Sequence, residues 1–164
     1  MAQPTVRRVL LSWSSGKDCA WTLYRLRQLP DVQLVGLLTT FNEQADRVAM
    51  HAVRRELVEQ QAAAAGLPLW SVGLPWPCSN EVYEARMRGA IERARQECVT
   101  HVAFRDLFLE DVRDYRIRQM QGTGIEPLFP LWAAPAQTQE LSRQMIKACL
   151  GAMVTGVDPR QVDG

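Results

Sequence analysis

A chain of 164 residues, 47% apolar and 23% charged, suits one compact domain that needs neither disulfide nor metal to hold its core. Nineteen Lys and Arg against eighteen Asp and Glu leave a net charge of +1, which excludes an overall field drawing in nucleic acid or an anionic membrane. No apolar run approaches the ~20 residues that span a bilayer, and the four cysteines, at 19, 78, 98 and 149, form no CxxC pair. Reduced thiols in a cytoplasmic protein are the expectation, with no membrane contact and no nucleic-acid partner. A homodimer is left open.

In chain order, residues 6–13 have a continuous apolar centre, as a strand covered on both faces does. A turn at 14–18 leads into a helix over 17–29, with Ala20, Leu23 and Tyr24 on one side and Pro30 just beyond it. Residues 32–40 read as a second buried strand. Asp46 is placed to cap a long helix ending at Ala65, with Val48, Ala52, Leu57, Ala62 and Ala65 as its apolar stripe and Gly66 at its end. On that reading His51 lies within the helix, in a structural or a catalytic role. A third strand spans 67–74. Ser79 or Asn80 then caps a helix whose apolar positions are Tyr83, Met87, Ala90, Ile91, Ala94 and Cys98. A fourth strand spans 101–104, a helix 110–121 stops at Gly122 and Gly124, and a fifth strand spans 126–129. Leu141, Met145, Ala148, Cys149 and Ala152 mark a last helix, and 154–157 form a sixth strand or a frayed end. This alternation predicts an α/β fold: a doubly wound parallel sheet of about five strands with helices on both faces. In such sheets ligands bind beyond the carboxyl ends of the strands, so the loops after strands one, two, four and five are where chemistry is expected.

The first of these loops carries the strongest signal. Ser14, Ser15 and Gly16 are small and admit a ligand close to the backbone. A helix starting at Lys17 aims unpaired amides and its positive dipole end into the same space, where phosphate is the natural occupant. The Walker pattern GxxxxGK[ST] fails at Leu11 and Asp18, and GxGxxG fails because Gly16 stands alone. Ser14-Ser15-Gly16-Lys17-Asp18-Cys19 instead resembles the pyrophosphatase-type loop SGGxDS. The chain as a whole is similar to the N-type ATP pyrophosphatases (PP-loop, adenine nucleotide alpha hydrolase superfamily), and most to the diphthine–ammonia ligases and their short bacterial relatives. Further support comes from Phe104-Arg105-Asp106-Leu107, Leu109-Glu110-Asp111-Val112-Arg113, Tyr115-Arg116 and Pro127-Leu128-Phe129-Pro130-Leu131-Trp132. The resemblance runs from about residue 8 to 155. It departs at Ser15 and Arg105, where the family usually has Gly, and at Cys19, where it usually has Ser. Ser15 is a mild change if its φ is negative, Cys19 gives up one phosphate contact, and Arg105 either meets a phosphate or obstructs the site.

The resemblance implies a HUP-like, Rossmann-like PP-loop domain over residues 1–164 without the family's C-terminal segment, binding ATP with Mg²⁺. It implies a ligase in which a substrate carboxylate attacks the α-phosphorus, pyrophosphate leaves, and ammonia or an amine displaces AMP. Ser12, Trp13, Ser14, Ser15, Gly16, Lys17, Asp18 and Cys19 then surround ATP, and Thr39 and Thr40, ending strand two with Phe41, meet adenine or ribose. Lys17, Asp18 and Asp106 are the catalytic candidates, with Asp18 on the metal; the alternatives are helix or turn caps for the two aspartates and an ordinary strand end for the threonines. Glu110, Tyr115, Arg116 and Trp132 are candidates for the acyl substrate, although Glu110 and Arg116, six apart, lie on different faces of a shared helix. Trp76, between Pro75 and Pro77, is expected near the same edge, and the arginines at 86, 88, 93 and 95 form a solvated face. Two other readings stand beside the ligase: a nucleotide-binding module without catalysis, and another PP-loop enzyme such as one modifying tRNA.

Overall fold

A computed structural model describes residues 6–49 and 51–154. The strands β1 (Arg7–Ser12), β2 (Val32–Asn42), β4 (Leu69–Leu74), β5 (His101–Ala103) and β6 (Glu126–Leu128) pair in parallel, with β1 between β2 and β5, β4 beyond β2 and β6 beyond β5. A two-residue strand, β3 (Arg47–Val48), adds antiparallel to β2. The helices α1 (Lys17–Arg27), α2 (Arg55–Ala64), α3 (Asn80–Gln96), α4 (Glu110–Met120) and α5 (Thr138–Lys147) follow the strands in alternation, with a short 3₁₀ turn before α5.

Strand alternation sorts the core into two layers. Val9, Leu11, Leu37 and Phe41 point to one face and pack with Leu23 and Leu26 of α1 and Val58 and Ala62 of α2. Leu10, Leu38 and Val102 point to the other and meet Ile91 and Ala94 of α3 and Met120 of α4. Met145 of α5 joins Trp21 and Leu131 at the flank of α1. Burying these layers supplies most of the driving force, at roughly 25 cal/mol per Å² of apolar surface. Because the chain moves to β2 on one side of β1 and to β5 on the other, the switch in strand order falls between β1 and β5. The crevice beyond their carboxyl ends is therefore the expected ligand position.

The long helix expected from Asp46 to Ala65 is the main correction. The helix begins only at Arg55, with Arg54 as a cap residue that makes no side-chain cap bond. Asp46 sits at φ 50° and Ala52 at φ 52°, both outside helical space. Beyond Ser12, β1 leaves the sheet, and the edge of β2 it abandons is taken by β3, with Phe41 opposite Val48. Burying Val48 there, at 3% exposure, outweighs helix propensity, a weak preference that tertiary packing overrides. Asp46 instead ties the excursion to α2, its carbonyl accepting from the Arg55 amide at 3.1 Å and its carboxylate pairing with the Arg55 side chain. His51 is thus on a turn. Smaller shifts follow the same logic: Cys98 and Cys149 lie beyond their helices, exposed and with φ 58°, while Gly66 takes the left-handed conformation expected after α2. Ala148 and Ala152 also fall outside α5, and of the sixth strand expected at 154–157 only Val154 is among the described residues, where it forms no strand.

His101 opens β5 with its Nε2 3.5 Å from the Glu126 carboxylate. Burial holds its imidazole below the usual histidine pKa, against the pull of Glu126. The unfolded chain, with His near pKa ~6.5, therefore takes up a proton before the folded one does. Stability from this group is intact at neutral pH and declines as pH falls through that value. Thermal melts of His101→Gln between pH 7 and 5 are expected to fall less steeply than those of the parent; parallel curves would contradict the assignment.

Candidate functional site

At the β1–α1 junction every polar group of Ser14 is held by a different part of the chain. Its amide donates to Cys19 Sγ at 3.2 Å, its hydroxyl oxygen accepts from Arg105 Nε at 2.7 Å, and its carbonyl oxygen accepts from His51 Nδ1 at 2.8 Å. A carbonyl can only accept, so the His51 proton is on Nδ1. The bend that follows puts Ser15 at φ 70° and Gly16 in an extended conformation as the N-cap of α1, with no side chain capping it. The first-turn amides of α1 thus have no intrahelical partner and open outward with the positive end of the dipole.

Cys19 does not face this opening. It is fully buried, with Sγ also 3.2 Å from Ser14 Oγ and reaching the Ser12 carbonyl at 3.8 Å, so it braces the bend from inside. Ser15, whose φ would need to be negative for serine to be a mild replacement, lies in the left-handed region that costs a non-glycine residue about 1–2 kcal/mol.

Two chambers flank the junction. The larger, about 830 Å³, lies on the α3–α4 face and is lined by Ser12, Trp13, Ser14, Thr40, Trp76 and Tyr83 among others, with Phe104, Tyr115 and Arg116 opposite. The smaller, about 310 Å³, is lined by Gly16, Lys17, Asp18, His51, Arg105, Asp106 and the loop to Leu109. The first has a mostly apolar and aromatic lining that also carries Glu84, Arg88, Arg105, Arg116 and Arg118, and the second brings Lys17, Asp18, Arg105 and Asp106 together in a smaller space.

The structure brings most of the expected residues here, but not all. Of Thr39, Thr40 and Phe41 only Thr40 faces the larger chamber, beside Leu38 and Asn42 of the same strand. Thr39 and Phe41 point to the α1–α2 layer, Thr39 1% and Phe41 0% exposed, as alternation requires. Trp13 contributes backbone, its indole turning away to donate to Gln61 Oε1 at 3.0 Å. Lys17 Nζ is paired with Asp18 Oδ1 at 2.7 Å. Asp106 sits between two arginines, 3.8 Å from Arg105 Nη1 and 3.9 Å from Arg116 Nε, with Oδ2 buried and without a hydrogen-bond partner. Arg116 also stacks over Phe104 and donates to the Tyr83 hydroxyl at 3.4 Å. The Tyr115 hydroxyl accepts from Gln119 at 2.6 Å, and burial raises its pKa, so the phenol stays protonated well past neutrality. Glu110 and Trp132 line neither chamber. Glu110 is exposed on the first turn of α4, where its charge suits the dipole, and Trp132 packs edge-on against Phe129 with Arg113 over its ring.

Several residues lining the chambers lie outside the catalytic and binding sets named from the sequence, although Arg105 is expected there to meet a phosphate or obstruct the site and Trp76 to lie near the same edge. The loop after β4 brings Pro75, Trp76 and Cys78 to the larger chamber, a position the strand-end rule covers once all parallel strands are counted. His51 and Arg105 reach the bend from 37 and 91 residues away. Of the four arginines read as a solvated face, Arg88 lines the larger chamber and Arg93 covers Trp70.

Compared with known families, residues 7–121 match the model of the diphthamide synthase N-terminal domain. No curated protein matches the chain significantly.

If Ser15 stores strain, relieving it stabilises the protein. Ser15→Gly is expected to raise stability by about 1 kcal/mol, or roughly 2–4 °C in Tm. A lowered Tm would show that the serine side chain contributes more than its backbone costs.

Proposed function

Because the chain belongs to the diphthamide synthase N-terminal domain family, within the PP-loop ATP pyrophosphatases and the diphthine–ammonia ligases, we propose that it is an ATP-dependent amide-forming ligase acting in the cytoplasm. In that reaction a carboxylate oxygen attacks the α-phosphorus, the bond to pyrophosphate breaks, and ammonia or an amine then displaces AMP from the acyl carbon, losing a proton. The observation that carries this reading is the uncapped start of α1 between a large, mostly apolar chamber edged by several arginines and a small one that holds Lys17, Asp18, Arg105 and Asp106. A molecule with a flat apolar head and a polyanionic tail fits that division.

Thr40, Trp76 and the backbone of Ser12 and Trp13 would hold the adenosine. The α1 amides and Lys17 would take the tail, Lys17 exchanging its surface pair with Asp18 for phosphate oxygens. Tyr115 and Arg116 offer a neutral donor and a cation to the acyl substrate. The acidic groups suit a hard divalent cation. Asp18 and Asp106 both line the charged chamber, and Asp106 presents an unpartnered carboxylate oxygen. No cluster of three ligating side chains occurs among the described residues. That is the pattern of Mg²⁺ held by one or two carboxylates together with phosphate and water. Bound there, Mg²⁺ would neutralise charge on the departing pyrophosphate. The cytoplasmic reading draws on four free thiols and on the absence, among the described residues, of any helix able to cross a membrane.

The alternative of a nucleotide-binding module without catalysis draws on Ser15, whose strained backbone departs from the glycine the loop prefers. The two readings separate in one assay, pyrophosphate release from MgATP with ammonium and a panel of carboxylic acids. The ligase releases pyrophosphate with at least one acid; the module binds ATP and releases none. Lys17→Ala is expected to lower that release by about 10²–10³-fold while the melting curve is unchanged, and near-parental release would remove Lys17 from the mechanism.

A further inference from the structure

Arg105 lines both chambers, at the wall between them. It is the second residue after β5, so it stands at the switch point opposite the end of β1. Its Nε–H is spent on Ser14 Oγ at 2.7 Å, which fixes the plane of the guanidinium across the bend. Its Nη1 lies 3.8 Å from Asp106 Oδ1, beyond hydrogen-bond length. The side chain is 24% exposed, so its charge is partly desolvated, and the carboxylate facing it, Asp106, pairs with it without a hydrogen bond.

A ligand that spans the two chambers must cross at this wall. On the ligase reading, on which this inference rests, the head is adenosine and the tail is the pyrophosphate that leaves, so the phosphorus that crosses is the α-phosphorus. We propose that Arg105 is a catalytic residue whose guanidinium contacts the α-phosphate and stabilises the charge that builds there as the carboxylate oxygen bonds and the bond to pyrophosphate breaks. The planar fork suits this task, since it presents parallel N–H donors to the two non-bridging oxygens of a phosphate. Ser14 then positions the fork through the hydroxyl, and Asp106 guides it without quenching it.

Two other roles would give different results. A latch that blocks the bend would weaken nucleotide binding, and its removal would tighten it. An organiser of the loop would support the pyrophosphate half of the site as much as the α-phosphate.

Calorimetric titration of the full chain with adenosine, AMP, pyrophosphate and MgATP distinguishes them. The parent is expected to bind AMP more tightly than adenosine. In Arg105→Ala, affinity for AMP and ATP should fall about 10- to 100-fold, the loss of a charge-assisted contact, while adenosine and pyrophosphate hold within about threefold. Arg105→Lys should recover part of the loss, because it keeps the charge without the fork. Unchanged or tighter ATP binding by Arg105→Ala overturns the proposal, as does a parallel loss for pyrophosphate. Where the alanine variant does not fold, Arg105→Lys decides: weaker AMP with unchanged adenosine supports the contact, and equal changes overturn it. A parent that binds no adenine nucleotide defeats the ligase reading itself, a result distinct from any difference between parent and variant.

Discussion

The site depends on a single residue whose polar groups are all taken. Ser14 is held from beneath by Cys19, from one side by His51 and from the other by Arg105. With its amide, carbonyl and hydroxyl engaged, the chain has little freedom to turn from β1 into α1. The left-handed backbone at Ser15 follows from that constraint, because strain of this size persists only where the surroundings over-determine it. What the constraint yields is a set of helix-start amides fixed in direction before any ligand arrives. Donors that need no reorganisation are worth more to a developing charge than equally polar but mobile ones.

The same junction explains the division of the site. The sheet separates apolar layers on its two faces, and the carboxyl ends of β1, β2 and β4 bring apolar and aromatic groups to the larger chamber. The start of α1 and the loop after β5 bring charge to the smaller one, and α3 and α4 add Glu84, Arg88, Arg116 and Arg118 to the larger. Asp106 between Arg105 and Arg116, at separations too long for hydrogen bonds, leaves three charged groups near one another with donors and an acceptor unspent. An arrangement with unspent capacity can rearrange around a polyanion at lower cost than one whose ion pairs are already closed, because no tight pair has to be broken first.

How much of this was legible depends on distance along the chain. The parallel sheet, the bend at 14–16 and the helix beginning at Lys17 rest on local pattern and on residues a few positions apart, and they read directly. The parity of β2 was also readable: Leu38 and Thr40 share one face and Thr39 and Phe41 the other, so only one of the two threonines reaches the larger chamber. The excursion at 42–54 was not readable as local pattern, because its cause is the stretch of β2 that β1 leaves unpaired, and its residues carry an acceptable helical stripe. Arg105 reads from its motif as a cation that either meets a phosphate or obstructs the site, and the motif alone does not decide between them. Its meeting with Ser14 across 91 positions is a product of topology.

On the proposed function, the amides of this bend receive the polyphosphate of an adenine nucleotide. The most direct measurement is an NMR titration of backbone amides with a non-hydrolysable ATP analogue and Mg²⁺, following residues 14–19 against the distant strand ends at Arg7 and Glu126. Large, saturable shifts are expected at Ser15, Gly16, Lys17 and Asp18, smaller ones at Thr40 and Trp76, and none at the distant strand ends. Saturable binding that leaves residues 14–19 unmoved, or shifts confined to another surface, would contradict it.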